Sequence, residues 1–281
     1  MVESHRRPDR PPEHQVRPPA VAGRFYPADP GELAALVDQL LSSAGVVAAA
    51  EAPARAYVVP HAALRYSGPT AAHAYARLRR PSPGPGPGPV IILGPAHYVP
   101  TQGCVVPAAA RWRTPLGEVD IDTELVRSLV RDGHVNIDDR PFAPEHSLEV
   151  QLPFLQRCRP AGLRVLPVVV GYSTVDDLIV TLSGVAEAAG PDATVLCSTD
   201  LSHYQPEAAA EAQDRRTAAA VLDLAAERIG NRDACGVFAL RGLVGWARHQ
   251  GLRPRLLDRC TSAKTGGDPG RVVGYAAFSF N

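Results

Sequence analysis

The sequence predicts an α/β fold, with a largely parallel central sheet and helices on both of its faces. Short apolar segments alternate along the chain with longer segments of helical periodicity, which is the pattern of strands joined by helical crossovers. Several apolar segments, such as residues 90–93 (ValIleIleLeu), have no polar residue at alternate positions. Strands of this composition are buried on both faces, as in parallel sheets that are covered by helices.

Each element is predicted from its local pattern of apolar residues and from the turn residues that bound it. The predicted strands are residues 56–60, 90–93, 104–106, 164–170, 194–197 and 272–280. The predicted helices are residues 31–43, 69–79, 123–132, 145–158, 175–189, 208–228 and 235–249.

Residues 21–281 are predicted to form one domain, and residues 1–20 a disordered tail that is rich in Pro and Arg. Residues 81–89 alternate Pro with Gly or Ser. Because Pro fits neither a helix interior nor a sheet ladder, we expect this stretch to be a surface loop within the domain. The sequence has no apolar run of the length that a signal peptide or a membrane span requires.

The composition argues against two classes of partner. The 281 residues carry 29 basic and 29 acidic side chains, so the formal net charge is zero. Nucleic-acid binding and attachment to a membrane surface both need a basic surface, so we expect neither partner. The five Cys residues are widely spaced and form no Cys-x-x-Cys pair, which indicates a reducing compartment. We therefore expect a cytoplasmic protein.

Three histidines lie just after predicted strands. His61 follows residues 56–60, His97 follows residues 90–93, and His203 follows residues 194–197. In α/β folds ligands bind at the carboxyl ends of the strands, and neutral imidazole is the commonest metal ligand. For each histidine taken alone, a hydrogen-bonded turn residue is the favoured interpretation. Three at one edge of the sheet predict a metal site.

Asp200 and Cys235 are the two further candidates for this site. Asp200 precedes His203 by three residues, where its carboxylate can bind a metal, orient an imidazole or cap the following turn. Cys235 opens a predicted helix, whose dipole is expected to lower the thiol pKa. That environment suits a metal ligand or a nucleophile, and the alternative is a small buried apolar residue.

Glu145, His146 and Glu149 cluster at the start of another predicted helix. Acidic residues are favoured there by the helix dipole, so capping is the simplest role for the two glutamates. A positive charge is disfavoured at the same place, which promotes the neutral form of His146. A neutral imidazole can act as a metal ligand, a hydrogen-bond donor or a base.

Eight segments of the chain resemble the MEMO family, which includes the human mediator of cell motility and the bacterial AmmeMemoRadiSam system protein B. They lie at residues 20–27, 60–68, 71–75, 93–97, 114–117, 145–153, 198–203 and 235–236. The resemblance implies an α/β fold similar to that of the class III extradiol dioxygenases, which are non-haem iron enzymes.

Specific roles are implied by the same resemblance. The implied metal ligands are His61, His97 and Cys235, with Fe(II) as the expected metal and copper or zinc as alternatives. The catalytic residues are expected to be His203, Asp200 and His146. The substrate pocket is expected to include Phe25, Arg65, Tyr66 and Tyr98, with Arg65 near the mouth and able to pair with an anion.

Three functions remain open from the sequence. The first is a non-haem iron oxidoreductase of the AmmeMemoRadiSam system. The second is a non-catalytic module that binds a peptide or protein in a dioxygenase-like cleft, and the third is a zinc hydrolase. The resemblance implies a small-molecule or peptide ligand, and AMMECR1-like and radical-SAM proteins as partners.

Overall fold

The computed structural model describes residues 15–45, 53–79, 88–159 and 161–281, and every structural statement below concerns these residues. The strands are β1 (Val16–Arg17), β2 (Ala56–Val59), β3 (Val90–Pro95), β4 (Cys104–Val106), β5 (Arg111–Thr114), β6 (Gly117–Ile121), β7 (Asn136–Ile137), β8 (Arg164–Val170), β9 (Thr194–Ser198), β10 (His203–Gln205), β11 (Pro254–Thr261) and β12 (Val272–Phe280). The α-helices are α1 (Pro30–Ser43), α2 (Leu64–Leu78), α3 (Thr123–Arg131), α4 (Leu152–Cys158), α5 (Val175–Ala189), α6 (Glu207–Leu222) and α7 (Val237–His249). Short 3₁₀ turns lie at Glu149–Gln151, Ala226–Arg228 and Ser262–Thr265.

Five parallel strands form the centre of the sheet, in the order β6-β8-β3-β9-β2. Every residue of β2, β3 and β9 is buried, which agrees with their uninterrupted apolar sequences. The prediction of a largely parallel central sheet is confirmed. Antiparallel strands extend this centre: β12 pairs with β2 and β11, while β5 pairs with β6.

Helices cover both faces of the sheet, as predicted. Thr70 on α2 donates to Asp258 of β11 (2.7 Å), and the neighbouring Arg259 donates to the Glu211 carbonyl of α6 (3.1 Å). Successive residues of a strand point to opposite faces, so α2 and α6 lie on opposite sides. Helices α1, α2 and α4 pack together, and α5 packs against both α3 and α7.

The helix expected over residues 145–158 begins later than predicted. Residues 145–146 have no regular secondary structure, residues 147–148 form a turn, residues 149–151 form a 3₁₀ turn, and α4 comprises only the last seven residues. The helices predicted over residues 208–228 and 235–249 are also shorter than expected. Helix α6 ends at Leu222, and α7 begins two residues after Cys235. Strands β1, β5, β6, β7, β10 and β11 were not predicted, because they are short or only partly buried and lack a continuous apolar run.

The predicted tail extends too far along the chain. Val16 and Arg17 form β1, which pairs in parallel with β5, and the Arg17 side chain is buried. Residues 15–20 therefore belong to the domain, and the expectation for residues 1–14 lies outside the described residues. The surface loop that was expected over residues 81–89 also lies outside the described residues, apart from Gly88 and Pro89. Within the described ranges, no helix combines the length and apolarity needed to cross a membrane.

Candidate metal centre

Neighbouring parallel strands bring the predicted residues together. Strands β2, β9 and β3 lie side by side, and His61, Asp200 and His97 each follow the carboxyl end of one of them by two residues. His203 opens β10, and Cys235 lies just ahead of α7. This cluster therefore lies at the carboxyl ends of the strands, which is where ligands bind in α/β folds.

Three of the imidazoles form a group that can hold a metal ion. His61, His97 and His146 each offer one ligand atom, and these atoms all lie within 4.8 Å of one another. The ring of His61 is nearly perpendicular to the rings of His97 (82°) and His146 (86°). His97 and His146 are instead stacked, with an interplanar angle of 17°.

A buried hydroxyl fixes the tautomer of His61. Ser198 Oγ donates its only proton to the Ser147 carbonyl (2.7 Å) and accepts from Gln151 Nε2 (2.8 Å). The third contact of Ser198 Oγ is His61 Nδ1, 2.9 Å away. Because the hydroxyl proton is already used, His61 must donate from Nδ1. The lone pair of His61 is consequently on Nε2.

His97 is held in the same tautomer by a carboxylate. Glu145 Oε1 lies 2.9 Å from His97 Nδ1, and Glu145 also accepts the backbone N–H groups of His97, His146 and Ser147. Burial opposes ionisation of Glu145, but the hydrogen bonds from His97 and from the backbone outweigh it and lower its pKa to about 2. The carboxylate can only accept, so Nδ1 donates. A carboxylate that orients an imidazole in this way is typical of metal-binding histidines.

Cys235 completes the contacts of His61. Its Sγ lies 3.2 Å from His61 Nε2 and accepts the backbone N–H of Asp200 at 3.3 Å. Burial, with the charge of Asp200, raises the pKa of the Cys235 thiol to about 12. The expectation that the helix dipole lowers this pKa is wrong, because Cys235 precedes α7 and burial dominates. A bound metal ion deprotonates a coordinating thiol directly.

Asp200 positions His61 rather than His203. Its Oδ1 accepts the backbone N–H of His61 (2.7 Å) and of Ala62 (3.3 Å), and burial raises its pKa. His203 instead donates from Nδ1 to the Leu201 carbonyl at 2.8 Å. A backbone carbonyl has no proton to give, so His203 Nε2 carries the lone pair.

His146 is a neutral imidazole at the wall of the cleft. Burial lowers its pKa to about 4. The ring of Phe25 lies 4.6 Å from its ring, centroid to centroid, and Tyr98 Oη lies 3.5 Å from its Nδ1.

The histidines line an open cleft of about 1290 Å³. Of the residues expected in the pocket, Phe25, Tyr66 and Tyr98 line this cleft, together with Asp200, His203 and Cys235. Arg65 does not. It is on the exposed side of the first turn of α2, where its guanidinium covers the ring of Tyr66 at 4.5 Å.

Glu149 has a different role from the capping that was expected of it. Its fully buried carboxylate accepts from Arg17 Nη1 (2.6 Å), Tyr26 Oη (2.5 Å) and the backbone N–H groups of Ala20 and Val21. Arg17 also donates to the carbonyl of Glu145. Glu149 therefore holds residues 17–26 against the domain, and Arg17 connects this segment to Glu145, which orients His97.

Sequence reasoning missed several residues that build the site. Ser198 is the last residue of β9, and a polar residue ending an apolar strand is a signal that could have identified it. Gln151 and Arg17 carry no local signal, because their partners are distant in sequence. The far side of the cleft was also missed: it is lined by Tyr204, Gln205, Gln213, Arg232, Asp268 and Arg271.

Comparison with known proteins identifies the family. A family model described as Memo-like protein matches residues 17–279. MEMO1 family proteins of Methanopyrus kandleri and Sulfolobus acidocaldarius are 36% and 34% identical, each covering 94% of this chain and 98% and 99% of their own lengths. A MEMO1 family protein of Aquifex aeolicus is 35% identical, covering 95% of this chain and 99% of its own.

The fold is also similar to that of proteins whose structures have been solved. An uncharacterized protein of Escherichia coli K12 aligns with a TM-score of 0.50 and 12% identity, covering 80% of this chain and 98% of that one. At this identity the likeness bears on the fold alone. The family model and the relatives extend over nearly all of the domain, and this chain belongs to the MEMO family.

Proposed function

We propose that this protein is a mononuclear non-haem iron oxidoreductase whose metal is held by His61, His97 and Cys235. One observation carries the proposal: two imidazoles donate their Nδ1 protons to buried acceptors, which leaves both Nε2 lone pairs for a metal. Their near-perpendicular rings allow both in-plane lone pairs to point at one ion. Imidazole with thiolate suits several first-row metals, including iron.

We take Cys235 rather than His146 as the third ligand, as the resemblance to the MEMO family implies, although His146 is the third member of the imidazole group that can hold a metal ion. Two donors on one metal ion, one nitrogen and one sulfur, are about 3–3.5 Å apart at usual bond lengths and angles. The 3.2 Å between His61 Nε2 and Cys235 Sγ fits this separation.

Ferrous iron at these ligands would supply one-electron chemistry with O₂, as in related 2-His sites with open coordination positions. The chain supplies proton transfer and orientation. His203 Nε2 is free to accept a proton from a substrate in the cleft. His146 stays neutral because burial lowers its pKa to about 4, so it can hydrogen-bond a substrate without adding charge.

Metal analysis of variants purified without oxygen tests the ligand set. We expect one iron per chain in the wild type, and loss of most of it in His61→Gln, His97→Gln and Cys235→Ser. His146→Gln should keep the metal, as should His249→Gln, which changes an exposed histidine outside the cleft. If His146→Gln loses the metal and Cys235→Ser keeps it, the ligand assignment is wrong.

Oxygen consumption separates the three candidate functions. An iron-loaded oxidoreductase consumes O₂ when a reducing substrate is present, and His203→Gln should slow this while retaining iron. Zinc at full occupancy with no O₂ consumption would instead favour the hydrolase. A protein that binds no metal would favour the peptide-binding module.

A further inference from the structure

Residues 17–26 form a stiff segment that we call the N-terminal clamp. Pro18 and Pro19 each have a fixed φ, and the residues after them form a tight turn. In this turn the Gly23 N–H donates to the Tyr26 carbonyl (2.8 Å), and Gly23 has a φ of +78°, which glycine adopts without strain. The clamp therefore has little conformational freedom between its two ends.

Arg17, at the first end of the clamp, uses all three of its guanidinium nitrogens. Nε donates to the Phe142 carbonyl (2.8 Å), Nη2 to the Glu145 carbonyl (2.6 Å) and Nη1 to the Glu149 carboxylate (2.6 Å). The guanidinium also lies over the Trp112 ring, 4.3 Å from its centroid. An ion pair with Glu149 alone would anchor the segment. The two bonds to main-chain carbonyls mean that Arg17 also fixes the path of the chain between them.

Glu145 links Arg17 to His97. Its carbonyl accepts from Arg17, while its carboxylate lies 2.9 Å from His97 Nδ1 and accepts the His97 backbone N–H (2.8 Å). Residues 145–146 have no regular secondary structure, so the Glu145 peptide is not held by a helix or a sheet ladder. Its position therefore depends on Arg17, and the direction in which His97 offers Nε2 depends in turn on Glu145.

The other end of the clamp is fastened beside His61. The Phe25 carbonyl accepts the backbone N–H of Leu64 (2.8 Å), which lies three residues after His61 at the start of α2. No side chain of the described residues caps this helix start, so Phe25 supplies an acceptor that the helix lacks. The Phe25 ring also lies 4.6 Å from the ring of His146. The clamp thus connects the loop of His61 to the loop that orients His97.

We propose that Arg17 is a positioning residue of the candidate metal centre, which holds Glu145 and thereby the imidazole of His97 in the orientation for metal binding. The clamp fixes Arg17 relative to the loop of His61, so the same contact sets the separation of the two imidazoles. Where it concerns a metal, this inference rests on the proposed function. The orientation of His97 does not, and it can be measured in the metal-free protein.

Arg17→Lys separates this role from anchoring. Lysine keeps a positive charge for Glu149, but its compact ammonium group does not reproduce the planar fork that reaches two carbonyls and a carboxylate. We expect Arg17→Lys to recover much of the stability that Arg17→Met loses, measured by chemical denaturation. Both variants should bind metal about tenfold to a hundredfold more weakly than the wild type.

Competition with a chelator of known affinity measures the binding of cobalt(II), whose visible absorption also reports the geometry of its ligands. The matched control is Leu182→Ala, because Leu182 is buried on α5 and does not line the cleft. This variant should lose stability but keep the cobalt affinity and spectrum of the wild type. An equal loss of cobalt affinity in Leu182→Ala and Arg17→Lys would show that stability alone is responsible, and would overturn the proposal.

Nitrogen-15 NMR of the metal-free protein supplies the second measurement. We expect His97 to carry its proton on Nδ1 in the wild type, and to be a mixture of the Nδ1 and Nε2 tautomers in Arg17→Lys. The proposal is wrong if both the His97 signals and the cobalt affinity of Arg17→Lys match the wild type. If the wild type binds no cobalt but Arg17→Lys still changes the tautomer of His97, the proposed function is wrong and the positioning role of Arg17 stands.

Discussion

One hydroxyl determines which nitrogen of His61 is offered to a metal. Ser198 Oγ has a single proton, and its position between the Ser147 carbonyl and the Gln151 amide commits that proton away from the imidazole. The Gln151 amide is itself oriented, because its Nε2 donates to the Pro60 carbonyl and its Oε1 accepts from Tyr75. The tautomer is thus set by groups that do not touch the metal position.

Ser198→Ala should therefore weaken metal binding without removing a ligand. The substitution leaves His61 Nδ1–H and Gln151 Nε2 without their shared acceptor, and we expect a loss of about 10- to 100-fold in metal affinity. Competition with a chelator of known affinity measures it. Ser279→Ala is the matched control, because Ser279 is equally buried and its Oγ has no partner among the described residues. Equal affinities in the two variants would contradict this role of Ser198.

Glu145→Gln should weaken metal binding through His97. A neutral amide is a poorer acceptor for Nδ1–H than a carboxylate, and its NH₂ cannot accept the backbone N–H groups that Glu145 now binds. We expect a metal affinity lower by about 10- to 100-fold, read by the same competition. Glu118→Gln alters an exposed ion pair with Arg111 and Arg113 and should leave the affinity unchanged. A Glu145→Gln protein with wild-type affinity would show that this carboxylate does not tune His97.

At the scale of elements, the parts of the site carried by buried strands are the parts that the sequence predicts. His61 and His97 could be located because each follows an apolar strand, and parallel strands bring their carboxyl ends to one edge. The role of Arg17 could not be predicted, because a Pro/Arg-rich stretch gives no sign that one of its arginines is buried against Glu149. Tyr204 and Arg271 were missed for a related reason: β10 is short, and its pairing with β12 comes from distant residues.

The N-terminal segment should contribute strongly to stability through one buried ion pair. Arg17 and Glu149 are both buried, and removing one partner leaves the other charge without compensation. We expect Arg17→Met to lower the free energy of unfolding by about 3–5 kcal/mol, measured by chemical denaturation. Arg157→Met, which breaks the exposed pair with Asp38, should lower it by no more than about 1 kcal/mol. Similar losses in the two variants would argue against this anchoring.

Asp214 on α6 should make stability depend on pH. It accepts the backbone N–H of Ser202, its Oδ2 has no partner among the described residues, and burial raises its pKa above 3.8. A raised carboxyl pKa means that the charged form is disfavoured in the fold. The free energy of unfolding of the wild type therefore rises as the pH falls through the pKa of Asp214 in the folded protein. Above that pKa, the charged carboxylate lowers the free energy of unfolding.

Asp214→Asn carries no charge, so it should be more stable than the wild type at pH 7 and lose this advantage below about pH 4, where both side chains are neutral. Denaturation over this range measures the difference. An advantage that does not change with pH would show that the ionisation of Asp214 is not involved.

At the scale of the whole molecule, the central sheet forms the framework of the fold, and the candidate metal centre lies at one edge of it. Five parallel strands with helices on both faces hold the ends of β2, β3 and β9 together, and the antiparallel strands β10 and β12 extend the cleft away from them. The family relationship covers this entire unit.

The central claim is that His61, His97 and Cys235 hold one metal ion at this edge. Anomalous X-ray diffraction at the iron absorption edge, from crystals of iron-loaded protein grown without oxygen, tests it most directly. We predict one peak, about 2 Å from each of His61 Nε2 and His97 Nε2 and about 2.3 Å from Cys235 Sγ, which are usual metal–ligand distances. A peak bound by His146 and not by Cys235, or no peak between these side chains, would contradict the account.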